Sequence, residues 1–506
     1  MLFLHRLRET CREHASKTAV DFRRPASSER LSFGELHAGT TRTAAWLAGK
    51  GVCAGDRVAI CLPKSVASIQ LHLAACSVGA VSMPVNPDYS QAELNYLLRD
   101  SRAKLLVTTQ GRSGGMGPVA RFPDSETRVA EIDPHRFGRD LPPRGPDLAS
   151  IPIAADQTAL MLYTSGTTGR PKGACMSHAS LTANMDMLCE AWKWSADDVL
   201  LHALPLFHVH GLLVALHGAL FAGATSVVLS SFDAQQVVRG LAGGECTVFM
   251  AVPTMYRRIL SLLGDDVMDL RHMRLLTSGS DRLPVEAFQR IERQMGMRVV
   301  ERYGMTETGI MLSNPVDGER IAGQVGVPLP GVGMRIRDPE TGAPAGQGEV
   351  GELQTQGPHV FTGYWRDPEK TERSFTDDGW FRTGDLGLCD KKGRYELKGR
   401  STDLIISGGF NVYPSEVEHT LAAHPDVGQC AVVGLPDPDW GEAVTAFVVS
   451  KSPDPCESRL IGHCRRSLAG YKTPKRVVFL ESLPRNAMGK VQKQLLRGPA
   501  GQGTGG

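Results

Sequence analysis

Short apolar runs, each closed by a polar or glycine-bearing turn, alternate with stretches of helical spacing along most of the chain. Asp56-Arg-Val-Ala-Ile-Cys-Leu62 reads as a buried strand, residues 68–79 as the helix after it, and Ala80-Val-Ser-Met-Pro-Val85 as the next strand. The pattern continues through residues 225–229, 247–252, 275–279 and 299–303. Such repeated strand and helix units predict an α/β fold with a large multi-subdomain N-terminal domain, its mixed sheets flanked by helices. Between Gly326 and Gly399, glycine and proline punctuation with short alternating runs predicts a β-rich subdomain. Residues 403–497 carry strand patterns near Leu404-Ile-Ile406 and Ala431-Val-Val433 and helical patterns over 414–423 and 457–468, enough for a small α+β domain. The glycine-rich tail, 498–506, has the composition of a disordered segment.

Residues 199–232 contain no Asp, Glu, Lys or Arg, a run long enough in principle to span a bilayer. His202, His208, His210, His217 and Pro205, with several Gly and Ser, break it into short pieces. It is therefore expected to be strand, loop and helix inside a large core, not a transmembrane segment. The first ten residues mix acids and bases among apolar positions at helical spacing and lack the apolar core of a signal peptide, which predicts a first helix, with a transit peptide as the alternative.

At 506 residues, several domains or subdomains are expected. Hydrophobic content of 42% and charged content of 22% are those of an ordinary globular protein. A formal charge of +2, from 56 basic and 54 acidic residues, offers no field for nucleic acid. The eleven cysteines form no Cys-x-x-Cys pair, which argues against zinc ribbons and disulfide scaffolds and predicts a reducing cytoplasm.

The most informative stretch is Tyr163-Thr-Ser-Gly-Thr-Thr-Gly-Arg-Pro-Lys-Gly173, directly after the apolar Ala159-Leu-Met-Leu162. Glycines allow close backbone approach to a ligand, and hydroxyls with cations suit phosphate oxygens, so a polyphosphate cradle is expected. It is not a P-loop, which requires Gly-x-x-x-x-Gly-Lys-Ser/Thr. A Gly/Ser/Thr cluster by its composition alone is an ordinary surface turn.

With that string stand Leu204-Pro-Leu-Phe-His-Val-His-Gly211, Glu301-Arg-Tyr-Gly-Met-Thr-Glu-Thr308, Gly363-Tyr-Trp365, Trp380-Phe-Arg-Thr-Gly-Asp385, Gly399-Arg400, Gly408-Gly-Phe-Asn-Val-Tyr-Pro414 and Pro484-Arg-Asn-Ala-Met-Gly-Lys490. Together they resemble the adenylate-forming enzymes: acyl-CoA synthetases, luciferase-like enzymes and adenylation domains. The resemblance covers nearly the whole chain. It implies an N-terminal domain over 1–399, a hinge at 400–403 and a mobile C-terminal domain over 404–497. At the pivot, where the family commonly has Asp or Lys, this chain has Thr402.

The resemblance implies an acid-thiol ligase using ATP, Mg²⁺ and coenzyme A. A carboxylate is a poor electrophile, but its attack on the α-phosphate of ATP gives an acyl-adenylate that a thiol can displace. Bringing two anions together demands cations in a cleft closed to water. By resemblance, Thr164, Ser165, Gly166, Thr167, Thr168, Gly169 and Lys172 would hold the β- and γ-phosphates. Thr306 would contact the α-phosphate and Glu307 would bind Mg²⁺. Tyr303 would stack on adenine, Gly304 would line the ATP site, and Asp385 and Arg400 would meet the ribose. Lys490 would reach the carboxylate and α-phosphate during adenylation only. Gly408, Gly409 and Phe410 would border the pantetheine tunnel.

His208 and Ser278 stand where the family builds the acyl pocket, and Arg282 lies in the same loop as Ser278. A buried arginine there would call for an acid with a second carboxylate. The Glu301–Thr308 motif, with Ser313-Asn-Pro-Val-Asp-Gly-Glu-Arg320 and Gly326-Val-Pro-Leu-Pro-Gly-Val332 after it, looks most like malonyl-CoA synthetases. Malonate or methylmalonate is therefore the expected acid, held by His208 and Arg282, with Arg274 and Arg239 as further candidates. This would place the chain in fatty-acid metabolism. A synthetase for a medium-chain or aromatic monocarboxylic acid, an adenylation enzyme loading a separate carrier protein, and a non-catalytic nucleotide binder are the alternatives. The partners expected are thus small molecules, with no nucleic acid; the sequence does not fix an oligomeric state.

Overall fold

The computed structural model describes residues 2–111, 126–139, 141–165, 171–339, 341–408, 410–486 and 489–498. The chain forms two compact units, Met1–Met334 with Thr355–Phe381, and Arg335–Gln354 with Arg382–Gly506.

Two sheets organise the first unit. The larger has nine strands in the spatial order Val327–Pro328, Gly309–Ser313, Val300–Met305, Leu275–Ser278, Val248–Ala251, Val199–His202, Thr225–Leu229, Thr18–Arg24 and Ser27–Ser32. The six strands from Val300–Met305 to Thr18–Arg24 pair in parallel, with antiparallel pairs at both ends. The second sheet has seven strands, in the order Gly363–Tyr364, Pro171–Ser177, Thr158–Ser165, Val81–Pro84, Arg57–Cys61, Leu105–Thr109 and Arg128–Ile132. The apolar runs read from the sequence are these strands, to within a residue or two at the ends.

Two helices that are buried on every face pack on these sheets. Val66–Ser77 lies on the strands Arg57–Cys61 and Val81–Pro84, its N-terminus closed by a reciprocal Ser65 and Ser68 capping box. His210–His217 lies on Val199–His202 and Gly309–Ser313. A helix without a polar face must be enclosed by other layers. The two are tied by a hydrogen bond between His72 Nε2 and His217 Nε2, 2.7 Å apart, with His72 Nδ1 2.7 Å from Ser82 Oγ. Residues 199–232 are thus strand, loop, helix and strand in the core, as the broken apolar run predicts. The helix winds as a π-helix, which the sequence did not foretell. No helix among the described residues is long and apolar enough to cross a membrane.

The second unit holds most of a four-stranded sheet built from Gly333–Arg337, Gly351–Gln356, Phe381–Cys389 and Tyr395–Arg400. It also holds a five-stranded sheet centred on the Val427–Asp437 and Gly441–Ser450 hairpin, carrying helices Pro414–Ala422 and Glu457–Ser467. These match the expected β-rich and small α+β segments. Residues 335–354 and 382–399, assigned from the motifs to the N-terminal domain, cluster with the C-terminal residues in this unit. The expected hinge, residues 400–403, also falls inside it, with Ser401–Asp403 forming a 3-10 turn.

Candidate active site

The two ends of the string from Tyr163 to Gly173 are paired antiparallel strands. Tyr163 pairs with Gly173, Thr164 with Lys172 and Ser165 with Pro171, so the loop joins two strands held in fixed register. Gly166, Thr167, Thr168 and Gly169 lie outside the described residues, as does the Ser165 side chain. A Cβ on Gly173 would meet Met161 Sδ at 2.8 Å, so any larger residue here would have to displace the buried Met161 side chain. Lys172 Nζ lies 4.0 Å from Asp367 Oδ2 and 6.0 Å from the Tyr364 ring centre.

A second hairpin, Val300–Met305 and Gly309–Ser313, presents Thr306 and Glu307 at its turn. The strands approach so closely that a Cβ on Gly304 would fall 2.0 Å from the Gly309 carbonyl oxygen. Gly309 has φ +62°, and its amide neighbourhood is filled by Asn184, whose Oδ1 accepts from the Ile310 N–H at 3.2 Å. Glu307 is buried, and the Tyr364 hydroxyl donates to its Oε1 at 2.9 Å. Tyr364 belongs to a short strand paired with Pro171–Ser177. One tyrosine therefore connects the two hairpin tips: its ring faces Lys172 and its hydroxyl holds Glu307. Tyr303 is buried in the same hairpin.

The acyl-pocket candidates separate on burial. His208 keeps some exposure and packs against Phe207 with ring centres 4.7 Å apart. Its burial among apolar groups pushes its pKa down to about 4, so it is neutral at pH 7. Ser278 is buried and its Oγ has no hydrogen-bond partner among the described residues. Arg282 is exposed, with its backbone N–H bonded to Asp281 Oδ1 at 2.9 Å. An exposed guanidinium already bathed in water cannot serve as the desolvated cation that the sequence reading sought there. Arg274 is committed to a bidentate pair with Asp198, at 2.6 and 2.5 Å, and Arg239 is exposed.

The cation inside is Arg302, a residue that the motif reading quoted but gave no role. Arg302 retains 4% exposure, and its Nε and Nη2 have no hydrogen-bond partner among the described residues. Its guanidinium lies over Gly279, where a Cβ would come within 2.4 Å of Cζ. Burial lowers its pKa to about 9, and its charge helps push the pKa of buried His210 well below the ordinary value, after burial itself. His210 Nδ1 is 3.2 Å from Ser280 Oγ, and Ser280 itself holds φ +69°. Ser278, Gly279, Ser280, His210 and Arg302 thus converge at the carboxyl end of Leu275–Ser278. The signal available in the sequence was a charged pair, Glu301-Arg302, inside an otherwise apolar strand.

In the second unit, Asp385 and Arg400 face each other across paired strands, and Arg400 Nε lies 2.8 Å from Asp385 Oδ1. The Asp385 N–H donates to Thr383 Oγ1 at 3.0 Å. Gly408 has φ +59° and donates its N–H to the Trp440 carbonyl at 2.8 Å, while Phe410 is exposed and stacks on Tyr471. Gly409 is outside the described residues. Lys490 is exposed, its N–H donates to Asn486 Oδ1 at 3.0 Å, and Gly489 takes φ +78°.

A model of the AMP-binding enzyme family matches residues 7–365. The chain belongs to this family. A model of the AMP-binding enzyme C-terminal domain matches residues 416–490. The mouse malonate–CoA ligase is 37% identical over 501 residues, covering 88% of this chain and 82% of the relative. An Arabidopsis thaliana malonate–CoA ligase is 38% identical over 490 residues, covering 89% and 79%. Among solved structures, ATP-bound MatB from Rhodopseudomonas palustris is 40% identical and superposes with a TM-score of 0.91 over 98% of both chains. The adenylate-forming resemblance and the mixed α/β architecture expected from the motifs are those of the family.

Proposed function

We propose that this AMP-binding enzyme is an ATP-dependent malonate–CoA ligase acting through malonyl-adenylate. The observation that carries the choice of acid is Arg302. A buried cation without a partner is costly, and the cost is met when a bound acid brings a second negative group to it. Malonate does so while its reacting carboxylate remains free to attack ATP. The names of the relatives support the same acid, and unpartnered Ser278 Oγ supplies a donor beside it.

In the first step a carboxylate oxygen attacks the α-phosphorus and the bond to the bridging oxygen breaks, releasing pyrophosphate. In the second, the sulfur of coenzyme A attacks the acyl carbon and AMP leaves. Thr164, Lys172 and the loop between them would grip the departing pyrophosphate, Thr306 the α-phosphate, Tyr303 the adenine, and Asp385 oriented by Arg400 the ribose. Lys490 would serve adenylation, and Gly408 to Phe410 the pantetheine. Mg²⁺ fits the donor chemistry here: Glu307 is a hard carboxylate beside the Thr306 hydroxyl. No group of three or more acidic, His or Cys side chains among the described residues makes a complete cage, so the ion would be shared with ATP phosphates. Its chemistry would be to neutralise phosphate charge. All eleven cysteines carry free thiols, which supports a reducing, cytoplasmic setting.

The test is pyrophosphate release with coenzyme A present and a panel of malonate, methylmalonate, succinate, sulfoacetate, acetate, butyrate and ferulate, for wild type and Arg302→Met. Malonate should lead in the wild type. Arg302→Met should lose about 100-fold or more in kcat/KM for malonate. It should also unfold at a higher temperature than the ligand-free wild type, because it removes an uncompensated buried charge. Higher wild-type activity with a monocarboxylate sinks the reading.

A further inference from the structure

The first helix, Phe3–Glu13, carries a second buried arginine far along the chain from the motifs. Arg8 retains 8% exposure, and its Nε and Nη2 have no hydrogen-bond partner among the described residues. It lines a cavity of about 20 Å³ with His37 and Thr40 of helix Phe33–Gly49, Ser77 of Val66–Ser77, and the apolar Leu36 and Leu73. Thr40 Oγ1 is likewise buried without a partner.

A guanidinium stays charged in proteins, so Arg8 cannot escape the cost of burial by losing its proton. Burial is the main influence on it, Asp147 the next, and Arg12 adds a second positive charge. Asp147 is exposed, and its carboxylate caps the Ala149 N–H at 3.0 Å instead of bonding to Arg8. The cavity is therefore electropositive, with two arginine nitrogens and a hydroxyl available as donors. Its volume exceeds the roughly 10–15 Å³ that one water needs and suits a small ion. A water would satisfy hydrogen bonds and leave the charge uncompensated, whereas an anion does both.

We propose that this cavity binds a single small monovalent anion, chloride under ordinary ionic conditions, held by Arg8 Nε and Nη2 and Thr40 Oγ1. The ion would fasten the N-terminal helix to helices Phe33–Gly49 and Val66–Ser77. The site is separate from the acyl pocket and independent of the acid assigned to it.

The experiment is thermal unfolding of the full chain in sodium chloride, sodium bromide or sodium gluconate at one ionic strength, with the halide fraction varied. Wild type should gain about 2–4 °C in a saturable way with chloride or bromide over gluconate, which is too large for the cavity. Arg8→Met should lose that halide-specific gain. Thr40→Val, which keeps the cation and the volume, should shift the halide dependence to higher concentration and remains informative if Arg8→Met fails to fold. Bromide-soaked crystals should show an anomalous peak beside Arg8. An equal response to gluconate, a halide gain that survives in both variants, or an ordered water without anomalous signal would overturn the proposal.

Discussion

Glu301 and Arg302 are neighbours in sequence and both buried, yet they do not neutralise each other, because successive side chains of a strand point to opposite faces. Glu301 accepts the Gly323 N–H at 2.8 Å, while Arg302 turns to Gly279. Burial raises the Glu301 pKa from 4.5 to about 7, against smaller opposing effects of that hydrogen bond and of Arg282. Between those two values the folded chain holds more protons at this residue than the unfolded chain. Its contribution therefore favours folding below about pH 4.5, is lost as pH rises to about 7, and changes little above. Glu301→Gln should be more stable than wild type at pH 8 by about 3 kcal/mol, with the difference vanishing near pH 4. Urea unfolding at a series of pH values checks this, and a pH-independent difference would show that Glu301 ionises freely. Residue types were legible in the motifs, whereas burial was not. The same sequence features made Arg282 a candidate and gave Arg302 no role, and only the packing around Gly279 separates an exposed arginine from an enclosed one.

Elements were read more securely than residues, since a period of two or of 3.6 in apolar positions is a local property of the chain. The strand Thr225–Leu229 and the helix beginning at Pro414 emerged nearly at their observed bounds. The π-winding of His210–His217 did not, because its apolar run carries no periodicity to distinguish one winding from another. Nor did the connection between the two hairpins. Tyr364 lies about 200 residues from the first tip and pairs with its second strand only through the sheet, so no spacing in sequence announces the contact. Tyr364→Phe keeps the ring beside Lys172 and removes the hydroxyl from Glu307. A hydrogen bond to a charged group of this kind contributes about 1.5–3 kcal/mol. The variant should slow adenylation about 10-fold or more while leaving transfer from pre-formed acyl-adenylate to coenzyme A near wild type. Single-turnover assays of each half-reaction separate the two, and an equal loss in both would make Tyr364 a purely structural residue.

For the molecule as a whole, the two half-reactions make different demands on the residues of the second unit. Adenylation brings a carboxylate to a phosphate and needs a cation at that point, whereas thiol transfer attacks an uncharged acyl carbon and releases a phosphate monoester. A single lysine would meet the first demand and be unnecessary for the second. Lys490 suits that role locally: it is exposed, and its backbone makes reciprocal bonds with Asn486, whose N–H donates to the Lys490 carbonyl at 2.9 Å and whose Oδ1 accepts from the Lys490 N–H. The backbone is thus set while the side chain projects into solvent. Lys490→Ala should lower the adenylation rate about 100-fold or more, in the range of losing one charge-stabilising donor. Supplied with malonyl-adenylate and coenzyme A, the same variant should form malonyl-CoA at close to the wild-type rate. Replacement of Thr402 by Asp, which with Lys is common at the pivot expected from the resemblance, should leave adenylation unchanged and alter only the exchange between the two half-reactions. If Lys490→Ala impaired both half-reactions equally, the lysine would be acting on the fold or on nucleotide binding, and the division of labour proposed for the second unit would fail.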